Sequence, residues 1–132
     1  RDADGDGWAA LFNGVANQYD AAPLTARVGE RVRLWVLAAG PNRGSAFHVV
    51  GGQFDTVWSE GAYLLRRGGG PLAGEGSKGS EGADGGSQVL GLAPAQGGFV
   101  EWSPTEPGSY PFVTHAMADA ERGAHGILAV TR

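Results

Sequence analysis

The amino-acid sequence predicts an all-β domain organised as a β-sandwich. Short apolar segments recur along the 132 residues, and 24 glycines and 7 prolines punctuate them with turn signals. This spacing is typical of sandwiches of short strands, because each turn lets the next strand reverse direction. The length fits one domain, which can bury about two-thirds of the surface that the unfolded chain exposes.

The clearest predicted strand covers residues 31–37, RVRLWVL. Apolar side chains at every second position, Val32, Leu34 and Val36, give this strand one fully apolar face. A Gly-Pro-Asn turn follows at residues 40–42, and a Thr-Glu-Pro-Gly turn occupies residues 105–108. The same alternation between such turns predicts further strands over residues 46–50, 97–102, 109–114 and 126–131.

One segment has the composition of a helix instead. Residues 115–122, HAMADAER, contain good helix formers and no β-branched residue, so we expect one short helix after His115. Gly123 is its expected end. Residues 66–87 are rich in glycine with little to bury, which predicts a mobile loop within a domain spanning residues 11–132. Residues 1–10 are expected to form a linker or flexible N-terminus.

Composition excludes several classes of function. The chain has no cysteine, which rules out disulfides, zinc–thiolate sites, a thiol nucleophile and a blue-copper centre built within this chain. The formal net charge is -4, and Lys78 is the single lysine. Without a cluster of basic residues, neither nucleic acid nor an anionic membrane is an expected partner.

Two short motifs suggest ligand sites that their surroundings do not support. Asp2, Asp4 and Asp6 match the opening of a calcium-binding EF-hand loop, but Asn13 stands where the bidentate glutamate is needed. The glycine-rich segment contains GSKGS, which lacks the spacing of a phosphate-binding loop and does not lie between a strand and a helix. We interpret the first motif as an acidic linker and the second as a connector.

The three histidines are the strongest candidates for chemistry. His48 lies in a predicted strand and points away from its apolar neighbours, a position that is more often structural than catalytic. His115 stands at a strand-to-helix junction, which fixes the approach of a ligand, and His125 is interpreted as structural or exposed. Three imidazoles suit copper or zinc, although their spacing matches no local ligand motif.

A serine-histidine-carboxylate triad is a further alternative. Ser45, His115 and Asp119 supply the necessary residue types. No serine lies in a sequence that resembles a nucleophile elbow, so the sequence gives this alternative little support.

Two long segments resemble a known family. Residues 23–58 and 107–130 are similar to the second (C-terminal) cupredoxin domain of copper-containing nitrite reductases, within the wider multicopper oxidase family. The likeness is carried by the GPN turn, the FHVVG strand, the DTVW motif and the PGSYPFVTH block. It implies a Greek-key β-sandwich of cupredoxin type, and a parent oxidoreductase with a copper cofactor that reduces nitrite to nitric oxide.

The resemblance also implies roles for three residues. His115 matches the histidine that binds the type 2 copper of a neighbouring subunit. His48 matches the active-site histidine that does not bind the metal and relays protons to nitrite, and Val50 matches an aliphatic side chain of the substrate pocket. VLGLAP occupies the region where a hydroxyl residue would orient His48.

The same resemblance implies partners outside this chain. In the family, the type 1 copper and the other type 2 ligands come from a preceding cupredoxin domain, and the enzymes form homotrimers in extracytoplasmic compartments. We therefore expect the isolated chain to be catalytically inactive and to bind copper weakly. The electron donor is not indicated by the sequence.

Two alternatives stay open at this point. A domain of a two-domain laccase would need an H-C-H cluster, whereas Ala116 and Met117 follow His115. A metal-free cupredoxin-fold module acting in assembly or binding would have His48 and His115 pointing away from each other.

Overall fold

The computed structural model describes residues 9–69 and 85–132, and it confirms the predicted all-β sandwich. Its elements in chain order are α1 (Gln18–Ala21), β1 (Leu24–Arg27), β2 (Val32–Leu37), β3 (Ser45–Val49), β4 (Thr56–Ser59), β5 (Ala62–Leu65), β6 (Val89–Leu92), β7 (Gly97–Trp102), β8 (Gly108–Thr114), α2 (Met117–Glu121) and β9 (His125–Thr131). Within the described ranges, no helix is long and apolar enough to cross a membrane.

The strands form two packed sheets. One sheet has the order β1-β9-β8-β3-β6 and the other has the order β2-β7-β4-β5. Neighbouring strands are antiparallel except for the parallel pair β1 and β9. Among the described strands, only β4–β5 and β8–β9 are both consecutive in the chain and paired with each other. The other connections therefore cross between the sheets or between distant strands, as in Greek-key sandwiches.

The core lies between the inner faces of the two sheets. In β2, half-buried positions alternate with exposed ones, so the predicted apolar face of this strand does face the core. The largest completely buried side chains come from both sheets and from the loop before β4: Phe54, Leu65, Leu90, Leu128, Val49, Val57 and Val100. Burial of this apolar surface is the main force that holds the sheets together.

The structure contains elements that local patterns did not predict. Strands β1, β4, β5 and β6 have four residues each, too short for a clear alternation, and α1 is a second short helix besides the predicted α2. Strand β9 begins at His125, one residue earlier than expected. These elements depend on pairing with distant segments, and a local pattern carries little of that information.

The glycine-rich segment begins and ends at the same place on the sandwich. Its residues 70–84, like residues 1–8 of the predicted linker, lie outside the described part of the chain. At its base, the backbone N–H of Gly85 donates to the carbonyl of Gly68 over 3.2 Å. Ser87 forms an isolated bridge with Phe54. The described residues on either side of this segment are therefore held together by backbone hydrogen bonds.

Candidate functional site

The placement of His48 follows from the alternation of β3. Phe47 and Val49 point into the core, where 3% and 0% of their surfaces are exposed. Because side chains alternate along a strand, His48 lies on the outer face of the five-stranded sheet. Its register partners on the neighbouring strands are Val89 of β6 and Val113 of β8.

A backbone carbonyl fixes the orientation of the His48 ring. Nδ1 of His48 lies 2.6 Å from the carbonyl oxygen of Gln88. A carbonyl only accepts hydrogen bonds, so Nδ1 carries a proton and donates it here. Nε2 is therefore the nitrogen that is left to bind, accept or release a proton at the surface.

His115 is held at the end of β8. It directly follows Thr114, the last residue of that strand, and α2 begins two residues later at Met117. Its backbone N–H donates to the carbonyl of Ala46 in β3 over 2.7 Å. This bond continues the β3–β8 pairing, so the position of His115 relative to His48 is set by strand register.

The two rings meet on this outer face. The ring centroids of His48 and His115 are 5.5 Å apart, with an angle of 60° between the ring planes. A metal-free module with the two histidines directed away from each other would not have this geometry. Two imidazoles at this separation can act on the same small ligand, one as a metal ligand and the other as a proton donor.

The surroundings of the pair are apolar and open. Val50 follows His48 by two residues and is 47% exposed, Val89 is the register partner of His48 and is 37% exposed, and Met117 follows His115 by two residues and is 49% exposed. The backbone N–H of Val50 donates to Pro111 in β8 over 2.7 Å, which keeps the residue beside the sheet. We call His48, His115 and these three apolar side chains the histidine face.

The third histidine does not join this site. His125 lies at the start of β9, where Nε2 is 2.7 Å from the carboxylate of Asp20 and Nδ1 is 2.8 Å from the carbonyl of Ala120. Its expected structural role agrees with these contacts. Among the described residues, no group of three or more histidine or carboxylate side chains is placed to hold a metal ion.

The structure gives no support to a serine triad. The carboxylate of Asp119 accepts a hydrogen bond from Arg43 over 2.8 Å, as an ion pair. The ring neighbour of His115 is His48 rather than a carboxylate. Asp119 and His115 therefore contact other side chains.

Sequence reasoning missed the residue that orients His48. The resemblance implies a hydroxyl side chain near residues 89–94, but the acceptor is the main-chain carbonyl of Gln88. Val89 occupies the register position opposite His48. Any residue type has a carbonyl, so the identity of Gln88 offers no signal in the sequence.

Comparisons with curated proteins identify proteins of similar sequence. The chain is 36% identical over 123 residues to the copper-containing nitrite reductase of Neisseria gonorrhoeae, covering 91% of this chain and 26% of that protein. It is 37% identical over 109 residues to the copper-containing nitrite reductase of Neisseria meningitidis serogroup A, covering 81% and 23%. The chain thus spans about a quarter of the length of these relatives. No protein-family model matches it.

Solved structures agree with these matches. A copper-containing nitrite reductase from Thermus scotoductus has a TM-score of 0.71 and 31% identity, over 91% of this chain and 24% of that chain. The copper nitrite reductase from Nitrosomonas europaea has a TM-score of 0.72 and 25% identity, over 95% and 41%. A multicopper oxidase shares the fold at a TM-score of 0.67 and 18% identity. The chain is therefore a cupredoxin-like domain that is similar to part of the copper-containing nitrite reductases.

Proposed function

We propose that this domain supplies His115 as one ligand of a type 2 copper and His48 as the proton relay of a nitrite-reducing site. Another domain or subunit completes the site. The observation that supports the proposal most directly is the pairing of the two rings, 5.5 Å apart, with the His48 ring anchored through Nδ1. The activity is that of the relatives named above, which are copper-containing nitrite reductases.

The donor set favours a shared copper site over one held by this chain alone. Imidazole is a good copper ligand, and His115 offers an exposed ring at a fixed strand end. In the described part of the chain, His48 is its only ring neighbour, and no third ligand stands nearby. The remaining ligands must therefore come from outside, and copper would then supply the electron and polarise the bound nitrite.

His48 is suited to deliver protons to that nitrite. Conversion of nitrite to nitric oxide consumes an electron and a pair of protons and releases water. The hydrogen bond from Nδ1 to Gln88 persists whether Nε2 is protonated or not. The ring thus keeps its orientation while Nε2 donates a proton and is recharged from solvent, as a general acid requires.

Apolar side chains would shape the pocket. Val50 follows His48 by two residues and is half exposed, so it can form a wall over the reacting ligand. A partner that covers Val50, Val89 and Met117 would exclude water and strengthen the electrostatic interactions of the site. We assign this cover to a preceding cupredoxin domain within a homotrimer, in an extracytoplasmic compartment, as the resemblance implies.

The test uses the longer polypeptide that carries this domain. His115→Ala should remove type 2 copper, measured by electron paramagnetic resonance, and abolish nitrite reduction. His48→Ala should keep the copper while activity falls by about 100-fold or more, the usual contribution of a general acid. Tyr63→Phe, on the other sheet, serves as the control and should change neither value.

Two results would contradict the proposal. Retention of type 2 copper in His115→Ala would show that His115 is not a copper ligand. Unchanged activity of His48→Ala across the pH range would show that His48 is not the proton relay, even if the copper assignment held.

A further inference from the structure

A second histidine–carboxylate pair lies away from the histidine face. His125, the first residue of β9, is in contact with both short helices. Its Nε2 is 2.7 Å from Oδ2 of Asp20 in α1, and its Nδ1 is 2.8 Å from the carbonyl oxygen of Ala120 in α2. The side chains of His125 and Asp20 are 33% and 39% exposed, so water and protons reach the pair.

The partners determine the charge of the ring. A carbonyl oxygen and a carboxylate accept hydrogen bonds and cannot donate them, so each ring nitrogen must provide an N–H. A neutral imidazole has a single N–H and can satisfy one of these partners only. It keeps the bond to Ala120, because this residue is 5% exposed, whereas the Asp20 carboxylate is exposed and can bind water instead. The arrangement in which both bonds form therefore requires the imidazolium.

Few side-chain contacts hold α1 against the sandwich, and the His125–Asp20 pair is a charged one among them. The helix has four residues, none of them buried, and its N-cap residue makes no side-chain capping bond. A helix this short is not stable by itself in water. Apart from the bond to His125, its side chains attach through Tyr19, whose ring packs 5.6 Å from that of Phe112, and through Gln18, which donates to the carbonyl of Phe12 over 2.8 Å.

The other charged groups around the ring do not replace Asp20. In α2, the carboxylate of Asp119 is paired with Arg43, and Glu121 and Arg122 lie at the end of that helix. Strand β8 brings Val113 opposite His125 and has no ionisable side chain except Tyr110, whose hydroxyl donates to the carbonyl of Glu106. The neighbouring strand β1 carries one charge, Arg27, which pairs in register with Thr131 at the far end of β9. The remaining ionisable group of α1 is Tyr19, whose hydroxyl accepts a hydrogen bond from Asn13.

We propose that His125 is a pH-dependent clasp that ties α1 and α2 to β9 when it is protonated and releases α1 when it loses a proton. Through Asp20, the clasp connects α1, which precedes the first strand, to α2, which begins two residues after His115. It is independent of any role in nitrite reduction, since it rests on hydrogen bonds within this chain.

The direction of the pH dependence follows from the contacts. The hydrogen bond to Ala120 raises the pKa of His125 above its ordinary value of 6.5, partial burial opposes this, and Asp20 raises it further. Protonated His125 therefore stabilises the folded chain fully below that ordinary value. The contribution disappears as the pH rises through the higher pKa of the folded state.

The experiment follows the ring and the helix separately in this chain. Nuclear magnetic resonance titration of the His125 ring should give a lower pKa in Asp20→Asn than in the wild type. Amide hydrogen exchange, corrected for intrinsic rates, should show α1 opening about two- to fivefold more often at pH 8.5 than at pH 6, the range expected for an exposed ion pair. In Asp20→Asn this pH dependence should disappear.

Arg43→Gln provides the matched control, because it breaks an exposed ion pair to α2 that contains no group titrating near neutrality. It should leave the pH dependence of α1 unchanged. An unaltered His125 pKa in Asp20→Asn would overturn the clasp, and so would equal protection of α1 at both pH values in the wild type.

Discussion

The ion network around Glu101 provides the sharpest stability test. Glu101 lies on β7 and is 8% exposed. It accepts hydrogen bonds from Arg31, from Nε over 2.9 Å and from Nη2 over 2.7 Å, and it also accepts one from Arg33. Arg31 in turn donates to Asp55 before β4, so the network joins three segments of one sheet. We predict the effect of Glu101→Gln, which keeps the shape and removes the charge.

The magnitude follows from burial. Breaking a buried ion pair costs about 3–5 kcal/mol, and a hydrogen bond to a charged group contributes about 1.5–3 kcal/mol. The side chains of Arg31 and Arg33 are 30% and 48% exposed, so water screens part of the interaction. Glutamine also keeps one acceptor oxygen. We therefore expect the free energy of unfolding at pH 7 to fall by about 2 kcal/mol.

The pH dependence tests the mechanism. Burial tends to raise the pKa of Glu101, but the hydrogen bonds from Arg31 and Arg33 outweigh it and hold the pKa below its ordinary value of 4.5. The charged form therefore stabilises the fold above that ordinary value, and the contribution is lost as the pH falls through the lower folded pKa. The difference between wild type and Glu101→Gln should shrink towards zero under strongly acidic conditions.

Urea denaturation at a series of pH values measures both quantities. Glu106→Gln is the control, because Glu106 is exposed and lies outside the network. It should change stability by less than about 0.5 kcal/mol. The reasoning is refuted if Glu101→Gln is as stable as the control at pH 7, or if its deficit is the same at every pH.

Three further predictions address the core, the packing of α1 and the isolated chain. Leu90→Ala should lower the free energy of unfolding by about 2–5 kcal/mol in urea denaturation, since Leu90 is 1% exposed; a loss under 1 kcal/mol would contradict its core position. Gly126→Ala should cost about 1–3 kcal/mol, because an added Cβ would lie 2.4 Å from the Phe112 ring and 2.5 Å from Cβ of Tyr19; calorimetry showing an unchanged melting temperature would refute this packing. The purified chain should neither reduce nitrite with a chemical electron donor nor bind one copper tightly in calorimetric titration, since it offers one proposed copper ligand; turnover or stoichiometric tight binding would refute that expectation.

Local sequence patterns were sufficient for the main strands and for the helix after His115. The alternation in residues 32–37 is a direct consequence of the pleat, which sends neighbouring side chains to opposite faces, so the inner face of β2 follows from the sequence. The same argument places Phe47 and Val49 inside and His48 outside. The resemblance to nitrite reductases rests on the order of several such segments, and the comparisons support it.

Some elements and contacts could not be read from local patterns. Strand β6 alternates exposed and buried side chains over only four residues, which is too short a pattern to predict a strand. It forms because it pairs with β3. The bond between His125 and Asp20 joins residues 105 positions apart, and α1 has no buried face that would identify it. Such contacts depend on how distant strands align.

Local sequence patterns predict which side of β3 carries His48 and that His115 follows the end of a strand. The 5.5 Å distance between the two rings depends on the fold, because the register between β3 and β8 sets that separation. The fold also brings the Gln88 carbonyl to the His48 ring, and it places His125 in contact with the two helices instead of on the histidine face. Side-chain direction is local and follows from the period of the strand, whereas the distance between side chains depends on strand pairing across the whole domain.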